Sequence, residues 1–343
     1  MQQFKGKTAL LFFGLFITGG VLSGCNIHSS FGISANTLKK EDSKEFIVEK
    51  TKIDKLEKIQ IDTRIADVKI LESDDYYVEI DYTYWEDEPE YRVENGVLYF
   101  DDEESFPESY SINFNLHNTV TIYLPSQAPL AKITFDSSSG DISAAGFVAE
   151  ELEANVSYGD FTLENASAKE CDIRLSSGNS KIISVNSTNM EFTNSYGNAQ
   201  FTDINKDTSS PFEASASDSI EISMSSGDIR LKGITTGNIS ISNSYGDVTC
   251  DVITAEELDV ALSSGDFDLE HADIKEITVS NSYGNITLAL IGSQEDYSID
   301  VDTSYGKIKV DGESYDEHFL YDNGGTREID ADLSSGDITV KFQ

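Results

Sequence analysis

Carboxylate and amide side chains that could bind a cation recur directly behind a glycine. The tetrapeptide Ser-(Ser/Tyr)-Gly-(Asp/Asn), with Lys307 as its one departure, repeats along the chain and predicts a column of oxygen ligands, with Asp228, Asp247 and Asp266 in three consecutive units. Calcium takes oxygen ligands, so this column could hold Ca²⁺. Alternatively, each side chain accepts hydrogen bonds from turn amides. The glycines are 140, 159, 178, 197, 227, 246, 265, 284, 306 and 336.

Side chains typical of catalysis are scattered. The four histidines share no repeat column, and Cys171 and Cys250 fall in different apolar columns four units apart. The two thiols are therefore predicted to be small buried hydrophobes, neither paired nor nucleophilic. A β-helix enzyme acting on polysaccharide, with clustered Asp and Arg174 or Arg230 as a basic partner, is the enzymatic alternative. We predict that the chain is not an enzyme.

The amino-terminal residues predict export and a lipid anchor. Lys5 and Lys7 precede an apolar run over residues 9–22, which is too short to span a membrane stably and leads into Leu-Ser-Gly-Cys25. A Cys after Leu-Ser-Gly resembles the bacterial lipobox, which implies removal of residues 1–24 and diacylation of Cys25, palmitate being one such chain. Two acyl chains anchor a protein stably. We expect a lipoprotein on the outer face of the cell membrane; an uncleaved anchor is the alternative.

The charge of the chain excludes several partners. Without the leader, 22 basic residues face 62 acidic ones, a net charge of −40. Nucleic acid is excluded, because its binding rests on neutralising phosphates. Direct binding of anionic lipid head groups or teichoic acids is disfavoured for the same reason. Divalent cations and basic partners are favoured.

The repeat also predicts the elements that carry these side chains. Numbering each unit from its first Ser, positions 5 and 7 are apolar, as are 15 and 17; Ile229, Leu231, Ile239 and Ile241 form one such set. Alternation with period two predicts two short strands per unit, each with one buried face. Units this small must stack to bury that face. We therefore predict an all-β fold, a single-stranded β-solenoid (β-helix) of 19-residue coils with an irregular β cap at the amino-terminal end.

A second pattern has a period of two units. Tyr replaces the second Ser in alternate units, and Asn stands just before Ser-Tyr where Leu or Met stands before Ser-Ser. Because this exchange keeps summed volume nearly constant, we interpret the tyrosines as core packing, with hydroxyls bonded to the Asn amides. An exposed aromatic ladder for glycans is the alternative. The residues are Tyr158, Tyr196, Tyr245 and Tyr283, with Asn194, Asn243 and Asn281.

The Ser-x-Gly-Asp-Ile units and the stretch Val-Thr-Ile-Tyr-Leu-Pro at 120–125 resemble the bacterial DUF4097 family over roughly residues 46 to 343. The resemblance implies a solenoid, an envelope setting and an adhesin label, with no catalytic residues. The predicted organisation is a signal peptide over 1–24, a lipid-anchored flexible tether over 25–45, a β cap over 46–130 and repeats over 131–343.

Aromatic residues outside the repeat are the predicted sites for a partner. The later of two long insertions, residues 311–328, carries Tyr315, His318, Phe319 and Tyr321, which need either a partner or burial as a cap, and Trp85 is a further candidate. Insertions at one register collect on one side of a stack, often the binding side.

Taken together, these features predict a non-catalytic surface lipoprotein, either an adhesin or a module that binds or senses an envelope component. A calcium-stiffened spacer and a polysaccharide-acting enzyme are the alternatives. The expected partners are the membrane, through Cys25, and a cell-wall component, another envelope component or a host surface. Calcium is the one cofactor considered.

Overall fold

The computed structural model describes residues 36–343 apart from 108–109, 112–115, 207–209 and 213–214. These ranges contain β-strands and three single-turn 3₁₀ helices, Lys40–Asp42, Glu103–Ser105 and Gln294–Asp296. No helix in the described ranges is both long and apolar enough to cross a membrane.

The strands fall into an amino-terminal group, a repeat group and a carboxyl-terminal group. The first group is β1 (Asn36–Thr37), β2 (Lys44–Lys52), β3 (Lys58–Thr63), β4 (Asp67–Ser73), β5 (Tyr77–Tyr84), β6 (Glu90–Glu94), β7 (Val97–Asp101), β8 (Tyr110–Ser111) and β9 (Thr119–Pro125). The second is β10 (Ala128–Ser139), β11 (Ile142–Ala145), β12 (Phe147–Tyr158), β13 (Phe161–Ser177), β14 (Ser180–Asn186), β15 (Asn189–Tyr196), β16 (Ala199–Ile204), β17 (Ser219–Ser226), β18 (Ile229–Thr235), β19 (Asn238–Tyr245), β20 (Val248–Ser264), β21 (Phe267–Tyr283) and β22 (Ile286–Leu290). The third is β23 (Tyr297–Tyr305), β24 (Ile308–Val310), β25 (Glu313–Tyr315), β26 (His318–Tyr321), β27 (Arg327–Ser335) and β28 (Ile338–Phe342).

Successive repeats pair side by side as parallel strands. Within β13 and β15, Cys171 is opposite Met190 and Ile173 is opposite Phe192, so identical repeat positions are neighbours. Each repeat thus contributes one layer to a continuous sheet of 26 strands. The apolar columns point inward as predicted, because alternate side chains of a strand lie on one face; Ile229 and Ile239, for example, are at most 1% exposed.

The prediction of a single-stranded β-solenoid is wrong, although the all-β class holds. A chain wound progressively would stack its layers in sequence order, and this chain reverses that order at both ends. β27 lies between β21 and β23, although it follows both in the chain. At the other end, β3 lies between β7 and β10. The fold is a β-helix-like stack whose outer layers are out of sequence order.

Antiparallel strands close both ends of this stack. β5 pairs with β9, β2 pairs with β5, and β6 pairs with β7 at the amino-terminal end. β25 and β26 pair with β24 and β23 at the other. The spacings of 22 and 30 residues between the last three motif glycines include this reversal and its closing strands, so they are more than insertions into a regular winding.

Each layer turns at two backbone positions. The first is the motif glycine, where the neighbouring layer approaches so closely that a Cβ at Gly178 would lie 1.9 Å from the Gly159 carbonyl oxygen. The second is position 9, which is left-handed in consecutive layers with φ between 49° and 77°. Its residue types differ widely, so no sequence pattern indicated it. They are Gly146, Asn165, Ser184, Asp203, Gly233, Val252 and His271.

Both cysteines of the repeat region lie in the core. Cys171 and Cys250 are unpaired and at most 2% exposed, as predicted. Burial raises the pKa of each thiol to about 12, because the apolar core disfavours the charged thiolate. Neither sulfur is therefore a nucleophile at neutral pH.

Candidate binding surface

The tyrosines at position 2 of the repeat form an exposed row along one edge of the stack. Tyr196 is opposite Ser226, and Ser226 is opposite Tyr245, so a serine layer separates each tyrosine from the next. The side chains are between 62% and 80% exposed. We call this set the tyrosine row: Tyr158, Tyr196, Tyr245, Tyr283 and Tyr305.

The interpretation of these tyrosines as core packing is therefore wrong. The inward face ends at position 19, where Leu175 and Asn194 are still buried, and the next two residues already approach the glycine turn. A side chain at position 2 continues the period-two alternation, but it lies beyond the edge of the core. Whether a position is buried depends on where the core ends as well as on strand phase.

The side chains of the asparagines that precede the tyrosines form hydrogen bonds with the backbone, and not the predicted ones with the tyrosine hydroxyls. Asn194 is 3% exposed; its Nδ2 donates to the Gly178 carbonyl at 2.9 Å and its Oδ1 accepts from the Tyr196 amide at 3.2 Å. Asn281 bonds to the Gly265 carbonyl and the Tyr283 amide in the same way. These bonds fix the backbone that carries the row.

The alternation of tyrosine and serine continues through the reversed layer. In sequence order, Tyr283 is followed by Tyr305 and then Ser335, which breaks the pattern. In space, Ser335 lies between the two tyrosines. In the layer of Tyr305, Thr303 takes the place of the asparagine, and its hydroxyl donates a hydrogen bond to the Gly336 carbonyl at 3.0 Å. The tyrosines are therefore evenly spaced in the folded sheet, although they are not evenly spaced along the sequence.

The acidic column beside the row is a ladder of hydrogen bonds between layers. The Oδ1 of Asp228 accepts from the Asp247 amide at 3.2 Å, and that of Asp247 accepts from the Asp266 amide at 2.9 Å. The same bond recurs in every layer from Asp67 to Lys307, again in spatial order. The Asp and Asn side chains of the column therefore accept hydrogen bonds from turn amides, as the alternative to calcium binding predicted.

Binding of calcium by Asp228, Asp247 and Asp266 stays a prediction. Two other sets of described residues place three ligand atoms within 4.8 Å of one another, Asp251, Glu270 and His271, and Asp300, Asp302 and His318. In the first, His271 Nδ1 lies 3.0 Å from Asp251 Oδ1, and this bond lowers the pKa of Asp251. The predicted trio is not among the sets found in the described ranges.

The predicted aromatic insertion forms a hairpin over the outermost carboxyl-terminal layer. The rings of Tyr315 and Phe319 lie 4.4 Å apart, and Phe319 is 9% exposed. His318 Nδ1 lies 3.0 Å from Asp302 Oδ1, and Tyr321 packs against the core at partial exposure. Glu317 and His318, together with Asp302, Ser304 and Asp332 of the neighbouring strands, line a cavity of about 500 Å³. The structure supports the capping role, and partner binding by these residues stays a prediction.

The remaining predicted residues lie apart from this hairpin. Trp85 packs against Phe106 at 5.5 Å in the amino-terminal group, and its Nε1 donates to the Lys39 carbonyl at 2.9 Å. Cys25 lies outside the described residues. Arg174 and Arg230, the basic partners of the enzymatic alternative, are exposed and form ion pairs with neighbouring carboxylates.

The amino-terminal layers contain a buried acid that the sequence pattern did not indicate. Asp102 is 1% exposed and accepts hydrogen bonds from Thr63 Oγ1 at 2.6 Å, the Arg64 amide at 2.6 Å and Tyr82 Oη at 2.5 Å. Burial raises the pKa of Asp102 in spite of these bonds. It occupies position 19 of the outermost layer, opposite Thr63, and so completes the buried column.

Comparisons with known proteins identify one family. The family described as Toastrack DUF4097 matches residues 56–210 and 205–343. A search of curated proteins found no match.

Several solved structures are similar at low identity. A candidate cell adhesion protein from Clostridium sporogenes is 12% identical, covers 88% of this chain and 99% of its own, and has a TM-score of 0.22. A candidate adhesin from Bacteroides fragilis is 13% identical, with 90% and 99% covered and a TM-score of 0.34. A candidate lipid-binding protein from Parabacteroides distasonis is 12% identical, with 90% and 100% covered and a TM-score of 0.34.

Proposed function

The chain belongs to the Toastrack DUF4097 family, and on that premise we propose that it is a non-catalytic, adhesin-like module of the bacterial surface. We further propose that diacylated Cys25 holds it on the outer face of the cell membrane. The tyrosine row is the proposed contact surface for a component of the envelope or of another surface.

The exposure of five tyrosines in register is the observation that carries this proposal. Large aromatic side chains are normally buried in part, and each of these is at least 62% exposed. Tyrosine supplies a large contact area with few rotatable bonds, so it loses little entropy on binding. A row of such side chains on a hydrogen-bonded sheet is pre-organised, which reduces the cost of association.

A non-catalytic role is supported by the state of the candidate nucleophiles and bases. Both thiols of the repeat region are buried with raised pKa values. His271 and His318 are exposed, each lies beside aspartates, and they are in different parts of the stack. Cofactor-free acyl transfer through a cysteine or a histidine needs such groups brought together around a substrate.

A binding experiment with matched variants tests the proposal. The full acylated protein in detergent is incubated with isolated cell envelopes and with intact cells of other types, and bound protein is measured after sedimentation. The row variant carries Tyr196→Ser, Tyr245→Ser and Tyr283→Ser, the residue that alternate layers already carry, so the fold should persist. The control variant is Ile47→Ser, which removes a 55% exposed apolar side chain from β2, away from the row and from the carboxyl-terminal hairpin.

We expect the row variant to lose most binding and the control to keep it. Equal binding by the two variants would remove the tyrosine row from the proposal. The anchor is tested separately, because Cys25→Ser should abolish incorporation of labelled palmitate and partition into detergent; retention of both would refute lipidation at Cys25.

A further inference from the structure

We propose that the tyrosine row binds an extended, uncharged, β-1,4-linked polysaccharide, with one disaccharide of the ligand for every two layers of the sheet. This inference rests on the proposed function and names the ligand class of the same surface. It follows from three features of the row, its spacing, its flanking groups and its position on an edge.

The spacing of the row matches a two-sugar repeat. Neighbouring strands are about 4.8 Å apart, so tyrosines in alternate layers are roughly 9.6 Å apart. That is close to the length of the disaccharide unit in an extended β-1,4-linked chain, in which every second pyranose presents the same face. The register from Tyr158 to Tyr305 keeps this interval through the reversed layer. One chain could therefore place equivalent sugar faces on successive rings.

The chemistry of the tyrosine side chain suits such a ligand. The ring provides an apolar face for the C–H groups of a pyranose, and the phenol oxygen can donate and accept hydrogen bonds. Each tyrosine has serine neighbours in the adjacent layers, such as Ser226 and Ser264 beside Tyr245. Their hydroxyl groups add further hydrogen-bonding partners for the hydroxyls of the sugar.

The acidic ladder restricts the ligand to one without negative charge. Exposed carboxylates of the ladder stand two residues after two of the five tyrosines, Asp160 after Tyr158 and Asp247 after Tyr245, and the other three tyrosines are followed there by Asn198, Asn285 and Lys307. Asp228 and Asp266 add carboxylates in the serine layers beside Tyr245. Only one oxygen of each is used by the neighbouring amide, so the other can accept from sugar hydroxyls. Like charges placed opposite one another disfavour association, so these carboxylates and the net charge of −38 on the chain disfavour uronate, phosphate and sulfate polymers.

A proline-rich peptide has a similar period but fits the surface less well. A polyproline helix repeats after three residues of about 3.1 Å each, roughly 9.3 Å. Such peptides dock in aromatic-lined grooves. The row stands on an edge, and each of its tyrosines is at least 62% exposed, so the rings project from the surface. A ribbon-like glycan that stacks on projecting rings is the better match.

Titration calorimetry with defined oligosaccharides tests the inference. The full acylated protein in detergent is titrated with cello- and chito-oligosaccharides of two to ten sugars, with amylose oligomers as an α-linked control and a polyproline peptide as the other class. The key variant is Tyr245→Ser with Ser264→Tyr, which keeps the number of tyrosines and breaks their interval. Tyr245→Ser alone removes one ring, and Tyr245→Phe retains it; circular dichroism confirms the fold of each.

We expect affinity to rise with length for the β-1,4-linked series alone and to level off near the length of the row. Tyr245→Ser should weaken binding of the longest oligomer about three- to tenfold, the range for an aromatic contact. The interval variant should be equally weak, and Tyr245→Phe should be close to wild type. Wild-type affinity in the interval variant would overturn the inference, since spacing would then not matter.

The outcomes separate this inference from the proposed function. If no β-1,4-linked oligomer binds while envelopes still bind through the tyrosines, the ligand class is wrong and the adhesin-like role stands. Preferential binding of polyproline overturns the glycan in favour of a peptide. If the envelope preparations bind independently of the row, the row is not the contact surface, and the ligand class assigned to it falls as well.

Discussion

Replacing Gly178 by alanine should destabilise the whole stack, because this glycine lies where two layers touch. An added Cβ would be 1.9 Å from the Gly159 carbonyl oxygen and 2.7 Å from its carbon, both backbone atoms. The φ angle of +140° at this position is also one that side chains rarely adopt. Relief of the clash requires the two layers to separate by more than 1 Å or the turn to be rebuilt.

The size of the effect follows from the bonds that such a separation breaks. Three hydrogen bonds cross this junction: the Asn179 amide to Asp160 Oδ1, the Phe161 amide to the Asn179 carbonyl, and the Gly159 amide to the Ser177 carbonyl. Each is worth about 1 kcal/mol net, and the unfavourable backbone conformation costs on the order of 1–3 kcal/mol. We therefore expect the free energy of unfolding to fall by about 4–6 kcal/mol.

The matched control is Gly324→Ala, which separates backbone strain from the contact between layers. Gly324 has φ of +73° and no atom within 4 Å of the added Cβ, so only the backbone cost remains, about 1–2 kcal/mol. Urea unfolding is followed by circular dichroism for the whole sheet and by fluorescence of Trp85 for the amino-terminal group. Divergence of the two signals would reveal loss of cooperativity at the altered layer.

The comparison of the two variants decides whether the reasoning holds. Unfolding free energies within about 1 kcal/mol of each other, or a lower stability for Gly324→Ala, would show that the layers yield and that the close approach is not a constraint.

Further variants test other parts of the structure. Val252 is a β-branched residue with φ of 57°, so Val252→Asn should raise the free energy of unfolding by about 1 kcal/mol; a loss in urea melts would contradict this. Asn243→Ala removes the donor to the Gly227 carbonyl and should cost about 1–3 kcal/mol in the same assay, whereas no change would show that the bond is dispensable. Burial and then the neighbouring Asp101 raise the pKa of Asp62 from 3.8 to about 6. The folded state therefore holds the extra proton between these values, and stability falls as pH rises through this window. Asp62→Asn should remove that part of the pH dependence, by less than about 1 kcal/mol because the side chain is only partly buried and remains screened by solvent; identical pH profiles by urea melts would refute the assignment.

Much of the interior of the fold could be predicted from the sequence, because burial follows a period of two within a fixed repeat. Ile229 and Leu231 lie where their columns place them, and Cys171 and Cys250 are buried as expected. Position 9 could not be found in the same way. A left-handed turn is satisfied there by residues as different as Asn165, Val252 and His271, so the constraint leaves no common residue type.

Neither the exposure of the tyrosine row nor the order of the layers could be predicted from the sequence, and the reasons differ. The period-two alternation places the Tyr196 side chain on the inward face of its strand in either case. Whether that side chain is buried depends on how far the core extends along the strand. The layer order is hidden because a repeat unit fits any other unit in register, so sequence spacing does not identify its neighbour. The repetition of Ser-Tyr at 282–283 and 304–305, followed by Ser-Ser at 334–335, was the one available signal.

The reversed layer has a consequence for the order of folding as the chain is synthesised. Residues 297–310 are made before residues 328–342, although the later segment must occupy the inner place. During that interval β23 is already available to pair with the free edge of β21, before the correct partner β27 has been made. That pairing would set Tyr305 beside Tyr283 and Thr303 beside Asn281, whereas the correct strand brings Ser335 and Leu333. Layers with tyrosine and layers with serine therefore alternate only when β27 lies next to β21. Pairing of β21 with the earlier strand β23 would place two tyrosine layers side by side, and this difference distinguishes the correct neighbour from the incorrect one.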